Sequence, residues 1–170
     1  MKQVYNGLHK VNTLLQKIEM FLGCTCLGVL FAVMIVNAAL RYFFSSGLDY
    51  SDELNGFLFV WFGFLTASHA MSTDSHLNIT ALINMFPKTL QYILKVVMNL
   101  IMIDTFAIYM PSLFKLLKTL PISNVMRLPL EYVYVILPVA FLLMSYHVFF
   151  NTVRDTYRFV LERKGEEVSI

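Results

Sequence analysis

Four runs of apolar residues, each near the ~20 residues a helix needs to cross the hydrocarbon core of a bilayer, divide this 170-residue chain at 18–42, 54–71, 92–114 and 130–150. Lipid offers no partner to a backbone N–H or C=O, so each run is expected to be a helix that satisfies its own backbone. Composition agrees: 58% of the residues are hydrophobic and 14% charged, and the mean hydropathy is +0.65, outside the balance of a soluble domain. The connections leave no room for a second domain. Residues 1–170 therefore read as one all-α integral membrane unit.

Amphipathic stretches flank the spans. Val4, Leu8, Val11, Leu15 and Ile18 fall on one helical face while Lys2, Lys10 and Lys17 lie elsewhere on the wheel, which predicts a helix over 1–17 resting on the membrane surface. A second short surface helix is expected over 79–86, where Ile79, Leu82, Ile83 and Phe86 share a face and Pro87 ends the segment. In the tail, 151–170, Val153, Tyr157, Val160 and Leu161 repeat the pattern beside Arg154, Arg158, Arg163 and Lys164. The two termini together hold seven of the 13 Lys and Arg residues, so both are expected on the cytoplasmic side. The first apolar run is too long for a cleaved leader and lacks a small-residue cleavage pattern, so it is expected to stay as an anchor. Cys24 and Cys26 point to different helix faces and read as small apolar fillers.

With that orientation the polar residues sort into layers. At the outer edge lie Asn37, Arg41, Asp49, Asp52, Glu53, Arg127 and Glu131. A turn through Ser45, Ser46 and Gly47, followed by Ser51 as N-cap, returns the second span beside the first, and Arg41 is expected to reach Asp52 or Glu53. The bland reading is an ion-pair staple contributing ~0–1 kcal/mol where it is wet; the functional one adds a docking surface for a soluble partner or a neighbouring membrane subunit. Near the inner edge lie Glu19, His69, Lys95 and His147. Two histidines at one depth are a possible haem pair, which makes a haem or quinone anchor the non-transport alternative. Asp104 stands near the middle of the third span, where an ionised carboxylate costs on the order of 2.5–3.5 kcal/mol. Asn37 and Asp104 are thus expected as buried polar groups, with a self-sufficient proton-coupled carrier using Asp104 as a further alternative.

Other chemistry finds no carrier. The sequence holds no Gly-rich phosphate loop, no His-Glu-x-x-His, no Gly-x-Ser-x-Gly and no paired Cys motif, so neither an enzyme nor a bound metal or cofactor is expected. A net charge of +2, scattered along the chain, does not suggest a nucleic-acid partner. No inverted repeat or pair of Gly/Pro-broken helices marks a solute site. Fifteen Phe, ten Met and nine Tyr instead supply adaptable surfaces for phospholipid or a larger protein.

The segment from Asn37 through Arg41 and Tyr42 to Ser51, Asp52, Glu53 and Leu54, then Leu58, Phe59, Val60 and Trp61, resembles the small membrane subunit of tripartite ATP-independent periplasmic (TRAP) transporters. His76 after the second span, and Pro129, Tyr134 and Pro138 around the fourth, extend the likeness over essentially the whole chain. Tyr50, Gly56, Thr80 and Glu131 depart from the usual pattern, and the absence of a base at 56 leaves Arg41 as the counter-charge for the acid pair. The resemblance implies a non-catalytic subunit in the bacterial inner membrane, bound to a large elevator-type subunit that carries the substrate and sodium sites. It also implies a periplasmic substrate-binding protein that delivers an organic acid, with sialic acid the best match and C4-dicarboxylates next.

Overall fold

The computed structural model describes residues 2–73 and 87–164. The regular elements in them are helices α1 (Lys2–Phe44), α2 (Ser51–Ser72), α3 (Lys88–Thr119), α4 (Leu130–Tyr134) and α5 (Ile136–Lys164). Four of these are long and apolar enough to cross a membrane. The expected all-helical, multi-pass architecture is therefore present. His76 and the surface helix expected over 79–86 lie outside the described residues.

Helix ends differ from the expected spans for local reasons. No proline interrupts residues 2–44, so the stretch expected as a separate surface helix over 1–17 runs into the first span as one helix of 43 residues. At the start of α2, Tyr50 holds the N-cap position without a side-chain cap, and Ser51, expected there, is the first helical residue. Asp52 and Glu53 occupy the first turn, where carboxylates complement the helix dipole. The fourth span is split, because Pro138 has no N–H to offer the Tyr134 carbonyl. α4 ends at that residue, and the backbone continues through Val135, whose own N–H bonds Glu131 O at 3.0 Å. The tail expected as a separate interfacial helix is continuous with α5 up to Lys164.

α5 is the hub, packing on α1, α2 and α3, while α1 and α2 lie along each other. Ile136, Ala140, Met144 and Val148 are buried and recur every fourth residue, forming the stripe that the other helices cover. Within the most apolar window of Leu130–Tyr157, which covers α4 and most of α5, 44% of the residues are buried against 6% for the corresponding window of α3. α3 therefore touches the bundle along one face only. The bundle has two ends. One carries the start of α1, the end of α2, the start of α3 and the end of α5. The other holds the α1–α2 turn and the loop over 120–129, which is pinned by Ser123 N–H to Leu128 O at 2.8 Å.

Candidate functional site

At the terminal end, three helices contribute side chains to one buried polar cluster. Glu19 of α1 and His147 of α5 are both buried, and Glu19 Oε1 accepts from His147 Nε2 at 3.0 Å and from Ser68 Oγ of α2 at 2.7 Å. The other ring nitrogen, His147 Nδ1, is bonded to the Asn12 side-chain oxygen at 2.7 Å. Asn12 and Glu19 are seven residues apart and share a face of α1. His69 Nδ1 stands 4.0 Å from Glu19 Oε2, and neither atom has a hydrogen-bond partner among the described residues. Around this centre Asn151 Nδ2 donates to Met71 O at 2.9 Å and Gln16 Nε2 to Ser72 O at 3.3 Å. These bonds join α1, α2 and α5 by side chains whose polar atoms are costly to bury alone.

The same end fastens α3 to α5. Asn99 Nδ2 donates to Thr152 Oγ1 at 2.9 Å, Tyr92 and Thr156 share a hydroxyl bond at 3.0 Å, and the Tyr92 and Phe159 rings stack at 4.3 Å. Lys95 Nζ lies 4.0 Å from Asp155, which Arg154 also contacts at 3.2 Å. Sequence depth groups Glu19, His69 and His147 at one level, as the structure has them, whereas Lys95, expected with them, meets Asp155 about two turns further along α5. Asn12, Ser68 and Asn151 were missed, although Asn12 on an otherwise apolar stripe and the Ser68/Ser72 and His147/Asn151 pairs at i, i+4 were visible signals. Haem does not fit here: both nitrogens of His147 are engaged within the protein, leaving none for an iron.

The opposite end is built differently. Asn37 Oδ1 accepts the Leu48 N–H at 2.8 Å, and a Cβ at Gly47 would come within 3.1 Å of both that oxygen and Arg41 Cγ. Asn37, half-buried, and the stem of Arg41 thus shape the turn around a glycine. Among the described residues no carboxylate lies within 4.0 Å of the Arg41 guanidinium, so the expected pairing with Asp52 or Glu53 is not made. Glu53 turns to the other loop, where its Oε2 accepts the Met126 N–H at 2.7 Å, with the N–H groups of Asn124 and Val125 beside it. Asp49, Asp52, Arg127 and Glu131 are exposed. Arg127 takes a φ of 52°, a left-handed conformation that reverses the chain in this loop.

Residues quoted for the resemblance converge at this end. Trp61 Nε1 donates to Val133 O at 2.8 Å, joining α2 to the helix between Pro129 and Pro138. Pro138 is buried and Tyr134 half-buried, whereas the Tyr42 ring is exposed and meets Phe43 edge-on at 5.1 Å. Asp104, expected to be buried, is exposed. It sits at the centre of α3, about 140–160° around the helix from Asn99 and Phe106, the residues that meet α5.

The family of tripartite ATP-independent periplasmic transporters, DctQ component, matches residues 30–158. The chain belongs to this family. It is a TRAP transporter small permease component and a multi-pass membrane protein. A Haemophilus influenzae protein named as a TRAP transporter small permease protein is 32% identical over 95 residues, covering 56% of each chain. A second of that name from the same organism is 28% identical over 94 residues, covering 54% of this chain and 55% of its own length. The sialic acid TRAP transporter permease protein SiaT of H. influenzae is 34% identical over 77 residues, 45% of this chain and 12% of SiaT. The chain thus spans little more than half the length of the small permease relatives. For a DctQ component, the buried Asn12–His147–Glu19–Ser68 cluster is a fastening of the bundle to itself.

Proposed function

We propose that this DctQ component is the stationary brace of a sodium-coupled TRAP transporter in the bacterial inner membrane, with both termini cytoplasmic. It holds a large elevator-type permease subunit, and its exposed charges at the turn end, Arg41, Asp49, Asp52, Arg127 and Glu131, help seat a periplasmic substrate-binding protein. The observation that carries this reading is where the polar groups go. Glu19, His147, Ser68 and Asn12 are bonded to one another and so stiffen three helices, and the second Glu19 oxygen faces His69 Nδ1 at 4.0 Å inside the same cluster. Asp104 lies on an outer face and so lines no path through this bundle, which disfavours a self-sufficient carrier. Sialic acid is the substrate we favour, supported by the likeness to SiaT.

Purification in mild detergent from membranes that also express a large TRAP permease subunit of the same organism tests the brace. Recovery of the two chains together, with no transport by vesicles holding this chain alone, is the expected result. Solute accumulation by the lone chain overturns the reading. Vesicles holding both chains and the binding protein should take up labelled sialic acid under a sodium gradient in preference to succinate; the reverse preference moves the substrate to C4-dicarboxylates.

A further inference from the structure

α3 presents one face to α5 and the opposite face outward from the bundle, and that outer face is not purely apolar. Asp104, at the middle of the helix, is exposed there, flanked by Ile101 at 55% and Ile108 at 73% exposure. One turn on, Pro111 interrupts the ladder: it has no N–H, so the exposed Ala107 carbonyl loses its helical donor. No side chain among the described residues bonds either group. Residues 101, 104, 107, 108 and 111 share one face, so the carboxylate stands at mid-depth with no side-chain donor among the described residues, and the freed carbonyl lies on the same face one turn further along. Ionisable groups at that depth almost always face a protein interior or water, not lipid, and an acceptor without a donor in hydrocarbon is costly.

We propose that this face of α3 is buried against a transmembrane helix of the large permease subunit, which sets a lysine or arginine side chain beside Asp104. The proposal rests on the reading of this chain as a bound subunit and goes beyond it by assigning the face and the chemistry of the contact. A carboxylate held at mid-depth without a donor of its own suits a cation with several N–H donors. The neighbouring isoleucines supply the apolar rim that keeps the pair dry. A second copy of this chain would bring another Asp104 to the same depth and fits poorly.

Photoreactive side chains placed at Ile101 or Ile108, irradiated in native membranes expressing the full transporter, test this directly. The expected adduct joins this chain to the large subunit, at a segment carrying Lys or Arg within two helical turns. Asp104→Leu should cut adduct yield at least tenfold and Asp104→Asn by less. Because Asp104 is exposed and makes no hydrogen bond or ion pair among the described residues, neither variant should lower the melting temperature of the isolated protein. Adducts with lipid alone, with a second copy, or with a segment lacking a basic residue overturn the proposal, as does an unchanged yield from Asp104→Leu. If the two subunits still co-purify in those cases, the brace reading survives; if they never co-purify, that reading has failed first.

Discussion

The two ends of the bundle solve the same problem, joining helices near a membrane boundary, with opposite chemistry. At the terminal end the central joints are side chain to side chain, Glu19 with His147 and Ser68, His147 with Asn12, Asn99 with Thr152, and the side chains of Asn151 and Gln16 add bonds to backbone carbonyls around them. At the turn end they are side chain to backbone, with Asn37 holding Leu48 N–H, Glu53 holding Met126 N–H and Trp61 bonding Val133 O. A buried side-chain pair constrains which helices pack and at what rotation. A backbone acceptor or donor only requires a loop of suitable shape, which leaves the charged side chains at that end free to meet something else.

The largest test of this contrast is removal of one cluster member. Glu19→Leu or His147→Leu should each destabilise the purified protein by about 3–5 kcal/mol, the range for a buried pair stripped of one partner, while the double replacement should recover much of the loss. Detergent or thermal unfolding followed by helicity measures it, and additive losses would mean the two groups do not act as a pair. Next, Glu53→Ala should abolish the exchange protection of the amide of Met126 and weaken that of Asn124 and Val125 without disturbing the terminal end. Hydrogen exchange resolved by peptide reads both regions at once. Trp61→Phe keeps a ring but deletes the bond to Val133 O, a loss of about 0.5–1.5 kcal/mol, again by equilibrium unfolding. The smallest effect belongs to Arg41→Glu with and without Glu53→Arg. Since the two do not meet, their effects on stability should add within about 0.5 kcal/mol, and a larger coupling would restore the ion pair expected from the sequence.

The four spans were legible because apolar length is a property of each segment alone. Their ends were less so: residues 2–17 carry no breaker, and an amphipathic face that suits a membrane surface equally suits a helix continuing out of the bilayer. Level was also legible, which is why Glu19, His69 and His147 were grouped before their contacts were known. Partner choice was not. α3 is apolar on nearly all sides, so periodicity does not say which way Asp104 turns, and it turns outward. The fate of Glu53 was hidden for another reason: its partner is the backbone N–H of Met126, seventy-three residues away, and backbone groups leave no mark in the sequence.

The length of α1 has a consequence for how such a chain is made. Its 43 residues extend about 65 Å at 1.5 Å per residue, roughly twice the thickness of the hydrocarbon core. Measured back from Phe44, Glu19 lies about 37 Å along the axis, at headgroup level. Each hydrophobic rod can therefore enter the bilayer without carrying the Glu19 carboxylate through its oily centre. On the proposed orientation, with both termini cytoplasmic, lateral assembly would then draw the polar side chains together at the water boundary, insertion first and locking second.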